Sequence, residues 1–143
     1  MYHFAGQPWR AAAELADSRH LYRPTIDGLP GNDDLGGLSS WHLLDMLGLG
    51  ALVPGAPYWA LGSPAFERAE IDTGDGTFTI ESPGSGPYVA SASLNGEPLD
   101  RAWIYDSEMK GALRLERSTT ANEEWGAENR PPSGTDLSAF GCG

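Results

Sequence analysis

YVASASLNGEPLDRAWI, residues 88 to 104, is the stretch whose reading decides the fold. Tyr88, Ala90, Ala92 and Leu94 recur at every second position, the period of a strand with one covered face. Asn95-Gly96 follows, two residues that tolerate positive φ and so give the strongest short hairpin signal. The chain should turn there and run back through Leu99 to Trp103 and Ile104. The same period extends outward. Tyr58 to Leu61 reads as a short strand entered through Pro54-Gly55, and Phe66, Ala69 and Ile71 mark the next. Thr77 to Glu81 alternates, and Leu113 and Leu115 are expected to close the sheet. Residues 56–116 are therefore expected to form a small antiparallel β-region.

Residues 1–55 read as helical. Gln7-Pro8-Trp9 opens a helix with Pro in its first turn, where the missing N–H costs nothing. Ala11, Ala12, Ala13, Glu14 and Leu15 are strong helix formers, and the segment closes near Tyr22-Arg23-Pro24. A loop rich in Gly, Asp and Pro spans Thr25 to Asp34. A second helix is expected from about Leu35 to Leu47, stopping at Gly48. Its apolar residues (Leu35, Leu38, Trp41, Leu43, Leu44, Met46, Leu47) surround most of the circumference, the pattern of a helix covered on several sides. Little else in the 143 residues is helical enough to cover it, so further structure outside this chain is expected. Residues 117–143 hold few apolar side chains and many Gly, Pro, Ser, Glu and Asn. That composition predicts a disordered tail, with at most a short last turn at Leu137-Ser138-Ala139-Phe140. The fold class is α+β.

Nine basic against twenty acidic residues give a net charge of −11. Such a field repels polyphosphates, so nucleic acid is excluded as a partner. Cys142 is the only cysteine, so no internal disulfide forms. His3, His20 and His42 are not at paired ligand spacing for zinc. No apolar stretch approaches the length of a membrane span, and Met1-Tyr2-His3-Phe4 lacks the regions of a signal peptide.

The densest polar constellation is Asp27-Gly28-Leu29-Pro30-Gly31-Asn32-Asp33-Asp34-Leu35-Gly36. A carboxylate at a helix N-terminus stays ionised beside outward-pointing amides, which suits a general base or a hard-cation ligand. The same residue types are preferred helix caps, each contributing about 1 kcal/mol. An EF-hand fails, because Leu29 replaces an oxygen ligand and no Glu closes the loop. Ser39-Ser40 do not fit a nucleophile elbow, and Gly74-Asp75-Gly76 lacks the third Gly of a dinucleotide site.

DGLPGNDDLGGLSSW, residues 27 to 41, resembles the signature of glycoside hydrolase family 92, the exo-acting α-mannosidases. YHFAGQPWR (2 to 10), PGAPYWALGSPAFERAEI (54 to 71) and the opening stretch (88 to 104) are similar to flanking segments of that family, in the same order. His42 stands where Tyr is common, Leu38 where Met is common, and Gly50-Ala51 replaces a frequent Tyr-Pro. The resemblance implies that residues 1–55 are the last helices of an (α/α)6 barrel, beyond an N-terminal β-sandwich domain. It implies inverting hydrolysis of terminal α-mannosyl residues by a Glu acid and an Asp base, with calcium on the sugar's 2- and 3-hydroxyls. Inversion needs the two carboxyls about 6.5–9.5 Å apart, to admit a water. By the same resemblance Asp34 is the base and a calcium neighbour. Asn32 stands where many relatives have Asp; Asn32 and Asp33 border the substrate site, Asp33 mainly shaping the local network. From the residues themselves, Gln7, Trp9 and Trp41 are candidates to line the sugar pocket, since aromatic rings stack on the C–H faces of pyranoses, although a buried Trp in a helix is more often core. The general-acid segment and a Gly-Asn-Glu-Pro segment of the family have no match here, and Glu14, Glu67 and Glu70 fall outside any motif. The chain is thus expected to be a C-terminal fragment. It should be inactive alone, take mannosides or glycans as substrate, and partner the N-terminal portion of the same enzyme, extracellular or periplasmic. The alternative is a non-catalytic carbohydrate-binding or structural module, which would require exposed aromatics; the strand patterns around Trp59 and Trp103 favour burial.

Overall fold

The computed structural model describes residues 1–133. Helix α1 runs Pro8–Ser18 and passes into a 3₁₀ turn, Arg19–Leu21; α2 runs Gly37–Met46. Eight strands follow: β1 Leu49–Gly50, β2 Tyr58–Leu61, β3 Arg68–Asp72, β4 Thr77–Glu81, β5 Tyr88–Leu94, β6 Glu97–Leu99, β7 Trp103–Tyr105 and β8 Gly111–Ser118. The architecture is α+β, with two short helices ahead of an open β-domain. Among the described residues no helix is long and apolar enough to cross a membrane.

The strands form a three-stranded sheet, β1-β2-β7, and a five-stranded sheet, β3-β4-β8-β5-β6. The second sheet is mixed, not antiparallel throughout: β4 and β8 pair in parallel. The last strand enters between β4 and β5 rather than closing an edge, and runs parallel to β4 and antiparallel to β5. That central position is why Leu113 and Leu115 are fully buried. The hairpin forms where expected, with φ +53 at Asn95 and +86 at Gly96. Asn95 Oδ1 also accepts the Ala112 N–H at 2.9 Å, fixing the turn to β8. The return segment is two strands, because β6 ends at Leu99 and the chain then crosses to pair β7 with β2. Pro98 sits on β6, a sheet edge, where a missing N–H is tolerated.

The expected inner face of β5 is displaced. A bulge between Val89 and Ser91 interrupts the register with β8, so Val89, not Tyr88 or Ala90, is buried with Ala92. Leu61, Phe78, Ile80, Val89, Ile104, Leu113, Leu115 and Trp125 build one core between the sheets.

Two further expectations are corrected. Helix α2 begins at Gly37, because Asp34, Leu35 and Gly36 all take positive φ. Leu44 and Leu47 pack against the core, while Leu43 is 54 % exposed and Trp41 43 %, so part of the helix's apolar surface is left uncovered by the described residues. The expected tail is also ordered in its first part. The Trp125 indole is buried and donates to the Leu99 carbonyl at 2.9 Å. Asn122 Nδ2 donates to the Ala90 carbonyl at 2.7 Å, and the Tyr58 hydroxyl to the Pro132 carbonyl at 3.1 Å. One aromatic anchor and a few backbone bonds outweigh a polar composition. The rest of the expected tail, 134–143, lies outside the described residues.

Candidate active site

The signature loop starts from a tight backbone knot. Arg23 N–H donates to the Gly28 carbonyl at 2.9 Å, and Gly28 N–H to the Thr25 carbonyl at 3.0 Å. A Cβ on Gly28 would sit 1.8 Å from the Arg23 carbonyl oxygen, so the knot requires glycine. Beyond it, Asp33 and Asp34 divide two roles that the sequence leaves open for both. Asp33 Oδ1 accepts the Ser39 N–H at 2.9 Å and the Ser39 hydroxyl at 2.8 Å. It therefore satisfies a first-turn amide of α2, as a capping side chain does. Asp34 is exposed, and its carboxylate forms no hydrogen bond or ion pair among the described residues.

The backbone at Asp34 is strained. Asp34, Leu35 and Gly36 have φ +48, +59 and +94 in succession. Asp visits this region with local help, whereas for Leu it costs about 1–2 kcal/mol. A fully exposed Leu35 gains no packing in return.

Asn32 is exposed in the same loop. Gln7 and Trp9 are half-buried at the start of α1, where Gln7 is the residue before the first turn and the Arg10 guanidinium lies 4.9 Å from the Trp9 ring centroid. No hydrogen bond or ring contact links these two to Asn32, Asp33 or Asp34 among the described residues. Trp41 stands 6.1 Å from Tyr22, whose ring stacks on His42 at 3.9 Å. Burial, then the carboxylates of Asp45 and Asp33, push the Tyr22 phenol above its usual range. His42 Nδ1 is buried without a partner among the described residues.

Calcium takes six to eight oxygen ligands. Among the described residues no group of three or more His, Cys, Asp or Glu could hold a metal ion. One free carboxylate at residue 34 does not fit a calcium site by itself. Of the aromatics of the alternative reading, Trp59 is half-buried against the core, and Trp103 is engaged: its Nε1 donates to the Asn129 carbonyl at 3.0 Å, and the Arg101 guanidinium covers its ring at 4.6 Å.

At the far end of α2 lies a network that local spacing gives no sign of. Asp45 is buried in the last turn of α2, where the helix dipole disfavours a carboxylate. Arg19 compensates it, with Nε–H to Oδ2 at 2.7 Å and Nη2–H to Oδ1 at 3.2 Å. Nη2 also donates to the carbonyls of Asp45 (2.9 Å) and Ser63 (2.7 Å). Nearby, His3 is buried and its Nε2 meets the Leu61 carbonyl at 2.9 Å. Burial lowers its pKa, and the bond to Leu61 only partly offsets this. Both residues line a largely apolar cavity of about 270 Å³ between the helices and β1-β2, with Trp41 and Leu49 on its wall.

The profile of the glycosyl hydrolase family 92 catalytic domain matches residues 1–120. The chain belongs to that family. An uncharacterized secreted glycosidase of the fungus Arthroderma benhamiae is 33 % identical, over 93 % of this chain and 19 % of its own length. The family GH92 inverting mannosidase of Bacteroides thetaiotaomicron superposes with a TM-score of 0.85 at 28 % identity, covering 92 % of this chain and 19 % of that one. A family GH92 α-mannosidase of the same bacterium gives a TM-score of 0.84 at 23 % identity, over 92 % of this chain and 19 % of that one, a likeness of fold alone. The chain thus spans 19 % of the length of these relatives.

Proposed function

We propose that this family 92 chain serves the hydrolysis of terminal α-mannosyl residues with inversion, and that Asp34 is the general base. The observation that carries the reading is the division between the two adjacent acids. Asp33 takes up the helix amide, and the Asp34 carboxylate is exposed and unbonded among the described residues. A carboxylate in that state has both oxygens available to accept a proton from a water held against a sugar, whereas Asp33 has one oxygen already taken by Ser39. The likeness to an inverting mannosidase at 28 % identity supports the stereochemical outcome.

In this reading Asn32, Gln7 and Trp9 border the sugar, and Asp33 offers it only Oδ2. The general acid and most of the pocket come from the N-terminal portion of the same enzyme, this chain forming its C-terminal part. The chain alone accordingly gives no turnover, since general-acid catalysis contributes about 10²–10⁴-fold. Calcium, which the resemblance implies, would take Asp34 as one oxygen ligand and the others from outside the described residues. The parent enzyme acts outside the cytoplasm, a reading supported by the secreted fungal relative. The test is proton NMR of the first product formed from an aryl α-mannoside by the enzyme that joins this chain to the general-acid segment. β-Mannose appearing first supports inversion; α-mannose appearing first refutes it.

A further inference from the structure

We infer that Ser39 is a positioning residue for Asp34, acting through Asp33; this rests on the general-base reading of Asp34. The turn Asp34-Leu35-Gly36 has three successive positive φ values, +48, +59 and +94, and packing does nothing to hold it. Leu35 is 109 % exposed, and no atom lies within 4 Å of where a Cβ on Gly36 would be. The Asp34 carboxylate has no bond of its own among the described residues. What holds the turn is the ring of bonds closing beneath it. Leu38 N–H donates to the Asp33 carbonyl at 3.2 Å and Gly37 N–H to the Asp34 carbonyl at 3.3 Å. Among the described residues, only the side chains of Asp33 and Ser39 take part, and Ser39 holds Asp33 Oδ1 twice, through its N–H and its hydroxyl.

The direction in which Asp34 points is therefore set from α2 through one charge-assisted pair. Removing the hydroxyl leaves Asp33 on a single amide bond, and the strained turn then samples other conformations. Catalysis is sensitive to such shifts, since a misplacement of about 1 Å can cost about 100-fold. With one bond retained, Ser39→Ala should lower kcat about 5- to 10-fold. KM should stay within about twofold, because in this geometry the hydroxyl is spent on Asp33 and is not a sugar contact.

The test has two arms. In the enzyme joined to its general-acid segment, Ser39→Ala should show that kcat loss, and Ser39→Thr, which keeps a hydroxyl, should restore it. In this chain, amide exchange at residues 37–40 should quicken about fivefold in Ser39→Ala, return in Ser39→Thr, and be unchanged in Asp34→Asn. Faster exchange with kcat unchanged would make the pair a helix cap only and overturn the inference. Unchanged exchange in Ser39→Ala would overturn it too. In either case loss of activity in Asp34→Asn would leave the base reading standing, whereas full activity in Asp34→Asn would remove the base itself.

Discussion

Removing Arg19 should destabilise the chain more than removing any surface charge, because it strands the carboxylate of Asp45. That side chain is 4 % exposed, and Arg19 itself 19 %. Arg19→Met deletes the bidentate pair and the two bonds to the carbonyls of Asp45 and Ser63. A carboxylate then remains buried at the negative end of a helix. Breaking a buried pair from one side costs about 3–5 kcal/mol, and the partial exposure of Arg19 favours about 3. With an m-value of about 1–3 kcal/mol/M in urea, the midpoint should fall by about 1–3 M. The decisive feature is the sign of the second step. Adding Asp45→Asn to Arg19→Met neutralises the stranded charge and should restore part of the loss, even though it removes another native group. Urea unfolding followed by tryptophan fluorescence reads all four proteins of the cycle. A loss below about 1 kcal/mol for Arg19→Met, or a double variant less stable than Arg19→Met alone, would refute the reasoning.

Three other outcomes follow from the packing of the chain. Gly28→Ala forces a methyl to within 1.8 Å of the Arg23 carbonyl oxygen, so it should cost at least about 1–3 kcal/mol by thermal melting; a wild-type midpoint would mean that the knot is not formed. Trp125→Ala removes a buried indole and its bond to Leu99, costing about 3–5 kcal/mol, and an unchanged midpoint would return residues 119–133 to the status of a loose tail. His3 is buried with its pKa lowered, so the unfolded chain takes up a proton that the folded one refuses. Stability should then decline as pH falls below the ordinary histidine value of about 6.5. His3→Gln should remove that component of the slope; an identical pH profile in the variant would contradict the assignment.

Much of this was legible where physics is local. The period-two pattern at Thr77–Glu81 and the Asn95-Gly96 turn gave strands and hairpin, because side-chain alternation and positive φ depend on neighbours in sequence. Pro8 marked the start of α1 for the same reason. What escaped was set at long range. The parallel pairing of β4 with β8 depends on where a strand inserts after crossing between sheets. The bulge at Ala90 turned the expected face of β5, and a single indole tied down a segment of disordered composition. At the candidate site the loop itself was legible as a cluster of acids before a helix. Spacing alone did not separate the two acids; the family resemblance did, by making Asp34 the base, while the left-handed Leu35 that parts them in the backbone is one no propensity would forecast. The Arg19–Asp45 pair joins residues 26 apart and has no local signature.

The most direct test of the central claim is Asp34→Asn in the enzyme that unites this chain with its general acid, assayed on an aryl α-mannoside with a good leaving group. A good leaving group bypasses the acid, so the measured loss reports the base. The account predicts that kcat falls about 10²–10⁴-fold while the urea midpoint stays put, since the carboxylate is exposed and unbonded among the described residues. Retained turnover, or a kcat loss that tracks a loss of folding, would contradict it.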